Sequence, residues 1–269
     1  MSRDRRGNGV QVVGGSNPPC PTNSLRLIRK AVKQLLRRVG IDIRFIPKLG
    51  FDAYAEMSKL VVTDRPLVFD VGANRGQTIE HFRNAFARPV IHAFEPGLDT
   101  FAELQRGWAG VPDLHLNNIA LGARAESRTF IHSEPDDMSS FLEPSVDAWG
   151  EIKDRYPVEV ITIDDYCAAR GIERVDILKS DTQGFDLEVI KGAQRMIDNR
   201  AIHLIFMEVT FSDMYKGLPR FDEIYAFLAD RRFALVSFYD FYYQRGRAGW
   251  TDALFINEGT AADAATKRS

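Results

Sequence analysis

A chain of 269 residues can bury a full core, and its 45% hydrophobic and 27% charged residues are the composition of a globular domain. It contains no apolar run near the roughly 20 residues of a bilayer-crossing helix, no signal-peptide pattern, and only Cys20 and Cys167, which excludes a disulfide framework and a cysteine-type zinc site. The net charge of -2 hides an asymmetry: residues 1–50 carry eleven Lys/Arg against Asp4 and Asp42, whereas the remainder carries 24 against 35. An acidic main domain lacks the basic footprint that nucleic-acid binding requires.

Residues 1–23 are rich in Gly and Pro and carry no periodicity, the pattern of a disordered tail. From Ser24 the residues Leu25, Ile28, Val32, Leu35, Leu36 and Val39 recur at helical spacing, opposite Arg26, Arg29, Lys30, Lys33, Arg37 and Arg38. Residues 24–50 are therefore expected to form a basic amphipathic helical extension. Its segment 24–39 either packs on its own domain or lies on an anionic membrane surface. The expected location is cytoplasmic, with peripheral contact to the inner face of the membrane as the second option.

Residues 51–258 alternate β-type runs with helical stretches, the signature of a doubly wound parallel sheet with helices on both faces. Strands are predicted at Leu67–Val71, Val90–Phe94, Leu114–Asn118, Asp176–Lys179, His203–Val209, Ala234–Phe238 and Ala253–Ile256. Helices are predicted at Thr78–Ala87, Leu98–Trp108, Ile163–Arg170, Leu187–Asp198 and Phe221–Asp230. Pro135, Pro144 and Pro157 break the rhythm between Ser127 and Val160, which predicts an insertion over the carboxyl edge of the sheet. Residues 259–269 read as a flexible tail.

The first strand runs into Asp70-Val71-Gly72-Ala73-Asn74-Arg75-Gly76-Gln77-Thr78, a glycine-bearing turn that enters a helix. Gly72 and Gly76 permit a sharp turn and close approach to a ligand, and the helix start at Gln77 and Thr78 supplies donors. Asp70 would sit badly beside a pyrophosphate but suits the ammonium of a methionine moiety. The second strand ends in Glu95-Pro96, nineteen residues after Gly76, where an acid can accept both hydroxyl hydrogens of an adenosine ribose. After the third strand Asn118 and Ala120 are candidates for an adenine slot. Together these residues favour S-adenosylmethionine. An NAD-dependent oxidoreductase is the rival enzyme, and a non-catalytic cofactor-binding scaffold is the rival of another class.

With these segments, and with Lys179-Ser180-Asp181-Thr182-Gln183-Gly184-Phe185-Asp186 following the fourth strand, the chain resembles the FkbM family of methyltransferases from about Leu67 to Ile256. The resemblance implies a class I methyltransferase fold of seven strands and O-methylation of small molecules such as sugars, polyketides and glycolipids. Ser180 and Thr182 stand where the family is more often apolar, and Asp186 where Glu is commoner. The segments Phe206–Val209, Tyr215–Gly217 and Trp250–Phe255 are similar to members associated with bacterial sugar methylation.

Asp181 and Glu208 follow the fourth strand and end the fifth, so both are expected at the carboxyl edge, where doubly wound sheets bind ligands. Either can act as general base toward an acceptor hydroxyl, or the two can hold a magnesium or calcium ion. His92, His115 and His203 fall in strands, and His132 in the insertion. The run Phe238–Tyr243 supplies stacking faces for a sugar or walls for a lipid, and is equally consistent with sheet packing. The expected partner is a small-molecule or glycolipid acceptor.

Overall fold

The computed structural model describes Val32 and residues 49–260; the predicted tail of residues 1–23, nearly all of the 24–39 helix, and residues 261–269 lie outside them. The described elements all belong to the second of the two units into which the chain divides, residues 47–269.

In chain order the elements are α1 (Ala53–Leu60), β1 (Leu67–Val71), α2 (Gln77–Ala85), β2 (Val90–Phe94), α3 (Leu98–Trp108), β3 (Leu114–Asn117), β4 (Ala120–Leu121), β5 (Glu126–Glu134), β6 (Glu151–Ile161), α4 (Ile163–Arg170), β7 (Val175–Ser180), α5 (Asp186–Lys191), α6 (Gln194–Asp198), β8 (Ile202–Thr210), α7 (Phe221–Ala229), β9 (Phe233–Gln244) and β10 (Arg247–Asn257). Seven strands form one sheet in the order β3-β2-β1-β7-β8-β10-β9. Only β10 runs against its neighbours. The order reverses between β1 and β7, which makes their carboxyl ends a topological switch point.

The period of two along each strand decides which residues meet. Val68, Ile177, Leu204 and Leu254 pack on one face of the sheet with Met57 of α1, Ile79 and Phe82 of α2 and Leu104 of α3. Phe69, Leu178, Ile205 and Phe255 pack on the other face with Ile163 and Tyr166 of α4 and Ile190 of α5. Counting by twos along the first face brings Asp70, Lys179, Asp181, Glu208 and Asp252 to the carboxyl edge. The residues of the later site are thus polar ends of apolar rows.

The predicted insertion forms a second sheet, in the order β4-β6-β5. Its prolines did not prevent pairing: Pro157 stands opposite Thr129, and β4 meets β6 only at Val160 and Ile161, so β6 is an edge where Pro157 lies. The single predicted helix over Leu187–Asp198 is two helices, α5 and α6, interrupted at Gly192 and Ala193. The last two predicted strands are a longer hairpin with register shifts, closed by Arg245 and Gly246, both at positive φ, a geometry that suits a two-residue hairpin turn. Packing continues past residue 258, since Thr260 Oγ1 lies against His203 Nδ1. Among the described residues no helix is long and apolar enough to cross a membrane.

The glycine at position 192 has a physical cause. A Cβ there would stand 2.1 Å from the backbone oxygen of Gly122, with backbone on both sides and no side chain able to yield. Gly192→Ala is expected to lower stability by about 2–3 kcal/mol, the cost of overpacking a tight contact; an unchanged urea midpoint would refute this close approach.

Candidate functional site

Lys179 organises the carboxyl edge. Its ammonium lies 3.0 Å from Asp70 Oδ1, donates to Gly72 O at 3.1 Å and stands 3.8 Å from Asp181 Oδ2. Burial alone would push this ammonium down, but Asp70 and Asp181 hold it above the usual lysine range. Asp70 is fully buried, and its Oδ2 has no hydrogen-bond partner. It holds the lysine beneath the turn and is not among the residues that line the adjoining cleft. Nothing in residue spacing gave Lys179 a role.

Above this pair the backbone of Gly72 turns at φ +77 and crosses the β7 end so closely that a Cβ would lie 1.9 Å from Asp181 O. Gly72 N and Ala73 N both donate to Phe94 O at 3.0 Å, tying the turn to β2. Gly76, at φ +93, starts α2 against the Trp108 indole, whose Nε1 donates to Arg75 O at 3.0 Å.

A cleft of about 670 Å³, including its open mouth, runs from this turn across the ends of β1 and β2 to the second sheet. Gly72, Asn74, Glu95, Pro96, Ala120 and Asp181 of the predicted set line it. Phe94, Ile119, Leu121, Phe130, Phe141 and Phe185 give it apolar walls, and Asp136, Asp137 and Ser139 of the insertion close its outer side. Asp70, Gly76, Gln77, Thr78, Asn118 and Glu208 do not line it. Asn118 instead donates from Nδ2 to Glu95 O at 2.8 Å and holds the β2 end in place.

Glu95 is buried, with Oε2 accepting from Asn74 N at 2.9 Å and Oε1 from Gly97 N at 2.8 Å. Burial pushes its carboxyl up to about 7, against the opposing pull of those two amides. Each oxygen retains a lone pair for a hydroxyl donor. A buried acid pinned by two loop amides, a glycine turn that tolerates no side chain and an apolar slot together fit an adenosyl group with a methionine tail.

The second predicted pair meets beside the cleft, which Asp181 and Gln183 line. Asp181 and Glu208 converge on Gln183, whose Nε2 donates to Asp181 Oδ1 at 3.1 Å and lies 3.4 Å from Glu208 Oε1. Burial, then Asp181, Asp186 and Asp252, push the Glu208 carboxyl well above the carboxylate range. Asp252, which pairs in register with Glu208, is pushed up to about 7, first by burial and then by Asp181. The described residues contain no group of three or more His, Cys, Asp or Glu that could hold a metal ion.

His92 and His132 are buried and each meets a polar partner. His92 contacts Tyr166 Oη at 2.7 Å and stacks on His115, and burial lowers its imidazole to about 4. His132 is buried on β5 and meets Asp136 at 3.1 Å, a contact the sequence could not supply because the insertion's strands were unrecognised. Arg75 joins the glycine turn to this insertion, pairing with both Glu103 and Asp136. In the aromatic run Tyr239 is buried, while Phe241, Tyr242 and Tyr243 are exposed, with Tyr242 stacked on Trp250.

The model of the Methyltransferase FkbM domain matches residues 70–235. The 2-O-methyltransferase NoeI of Sinorhizobium fredii is 24% identical over 198 residues, 70% of this chain and 80% of that protein. Methyltransferase 1 of Beauveria bassiana is 24% identical over 162 residues, 52% of this chain and 65% of that protein. Among solved structures, magnesium protoporphyrin IX methyltransferase from Synechocystis with bound SAM aligns with a TM-score of 0.43 at 12% identity, over 90% of this chain and 87% of that one. The match over residues 70–235 contains the glycine turn, Glu95, Lys179, Asp181 and Glu208, and the chain belongs to the FkbM family of S-adenosylmethionine-dependent methyltransferases.

Proposed function

We propose that the protein is an O-methyltransferase for a hydroxyl of a sugar, glycolipid or related small molecule, with Glu95 holding the cofactor and Asp181 and Glu208 serving the acceptor. The observation that carries this reading is that Asp181, which lines the cleft, and Glu208, which does not, meet through the side-chain amide of Gln183, which lines it too. The name of the 2-O-methyltransferase relative supports oxygen as the atom methylated.

The bound cofactor supplies a methyl group on a cationic sulfur. The chain's part is to align an acceptor oxygen and take its proton, and alignment alone can supply much of the acceleration. Glu95 accepts the two ribose hydroxyls through its remaining lone pairs. Gly72 gives the methionine portion access to the turn, and the apolar walls exclude water from the adenine slot. Glu208, whose proton affinity is raised by burial and neighbouring acids, is suited to hold a hydroxyl proton at Oε1 or Oε2 near neutral pH. Asp181 lies closer to the cleft and orients the hydroxyl. The acidic surroundings favour a neutral or cationic acceptor over a phosphorylated one.

Three measurements test this. Glu95 accepts ribose hydroxyls best when ionised, so binding weakens as pH falls through its midpoint near 7. S-adenosylhomocysteine affinity should drop about tenfold from pH 8 to pH 6, and Glu95→Gln should bind more weakly with that dependence gone; calorimetry showing a flat wild-type profile would move the ribose contact elsewhere.

Asp181→Asn and Glu208→Gln are each expected to keep S-adenosylhomocysteine affinity within about threefold and to lose on the order of 100-fold in turnover. Because the base must be deprotonated and its midpoint is raised, the acidic limb of kcat should lie above the ordinary carboxylate range and vanish in Glu208→Gln. Wild-type turnover in both variants would remove the pair from the chemistry.

The substrate class is tested by incubating the enzyme with methyl-labelled cofactor and a panel of oligosaccharides and extracted glycolipids. Label appearing as a methyl ether on a sugar ring is the expected product. Label confined to nitrogen or carbon of other acceptors would overturn the oxygen assignment.

A further inference from the structure

We propose that Gln183 is a positioning residue whose side-chain amide clamps Asp181 and Glu208 into one arrangement, with Tyr215 fixing which way that amide faces. Its effect on turnover rests on the acceptor-side role given to the two carboxyl groups; the clamp itself does not.

Three contacts define the amide. Nε2 donates to Asp181 Oδ1 at 3.1 Å and faces Glu208 Oε1 at 3.4 Å, while Oε1 accepts from Tyr215 Oη at 3.0 Å. Tyr215 is 2% exposed, and its hydroxyl also lies 3.2 Å from Met138 O, within the insertion. The reverse orientation of the amide would point its oxygen at two acidic side chains. Two like-charged groups that close together repel, and an N–H pair placed between them relieves the repulsion in only one geometry.

The backbone argues independently. Gln183 adopts φ +52, a left-handed conformation that glycine, asparagine and aspartate tolerate and other residues rarely adopt. Gly184 beside it is also at positive φ, so a glycine would satisfy the turn at both positions. A glycine there would lose the amide while relieving the backbone, so the two contributions of Gln183 can be separated by substitution. The turn is further held by Ser140 Oγ, which donates to Gln183 O at 2.8 Å. Ser140 exchanges two backbone hydrogen bonds with Ile131 of β5, so the second sheet supports the clamp from outside the catalytic strands.

Glu208 reports on the clamp. It faces Asp181 and Asp186 from the segment after β7, Asp252 from β10 and Thr210 from its own strand, with Tyr215 beyond the amide and Lys179 the cation nearest Asp181. Every acidic neighbour raises its proton affinity and the Thr210 hydroxyl opposes that rise; on this proposal the amide N–H groups of Gln183 oppose it too.

The decisive variant is Gln183→Gly, which removes the amide while giving the backbone a residue suited to φ +52. The midpoint of Glu208 is followed by carbon NMR of its side-chain carboxyl in full-length protein, assigned by its absence from Glu208→Gln. The expected result is a melting temperature at or above wild type together with an upward move of about one pH unit in that midpoint. Tyr215→Phe, which leaves the amide free to turn, should move it the same way by less. An unmoved midpoint in folded Gln183→Gly overturns the clamp, as does a falling melting temperature with no titration change, which would make Gln183 a packing residue. A moved midpoint with wild-type turnover on an accepted sugar supports the clamp and instead removes Asp181 and Glu208 from the chemistry.

Discussion

The architecture of the edge depends on one buried ammonium. Lys179 occupies the point where the strand order reverses, and a charge placed there is tolerable only because Asp70, Gly72 O and Asp181 surround it. Removing one partner of such a pair costs about 3–5 kcal/mol, because the other charge is left unpaired. The ammonium fixes the end of β1 relative to the end of β7. Gly72 can then pass over Asp181 at a distance that admits no side chain, and both the cleft floor and the orientation of Asp181 follow.

From that point the site is held by contacts among segments that are distant in sequence. Asn118 pins the backbone of Glu95, and the amides of Asn74 and Gly97 pin its carboxylate. Trp108 supports the glycine turn from below, and Arg75 ties it to Glu103 and to Asp136 of the second sheet. The exposed ion pairs are individually weak, but they act on a turn already fixed by backbone hydrogen bonds. Rigidity here comes from redundancy.

Much of this was legible in the residues because period-two alternation and tight turns are local properties. β1 and β2, α3 and α4 have the bounds expected from pattern alone, and Thr162 and Gly171 cap α4 as such residues do. The place of Glu95 at the cleft follows from spacing because distance along a βαβ unit translates into place in space. What stayed hidden depends on partners. Prolines masked β5 and β6, since an edge tolerates a residue that an inner strand would not. Phe238–Tyr243 obscured the length of β9 because aromatic side chains lie on both faces there. The functions of Lys179 and Gln183, and the structural roles of Asp70 and Asn118, lie in contacts between strand ends that no local pattern encodes.

One feature of the sheet bears on how the protein is made. The last strand in the chain does not lie at the sheet's border: β10 inserts between β8 and β9 and carries Asp252 to the position opposite Glu208. While the chain emerges from the ribosome, β8 therefore presents an open edge and β9 has no neighbour until residues 247–257 follow. Unpaired edges of this length are templates for wrong pairing. The carboxyl cluster is completed by the same event that closes the sheet, so a nascent or truncated chain that has formed its cleft still lacks the strand that carries Asp252; on the roles proposed above, the capacity to bind precedes the capacity to react.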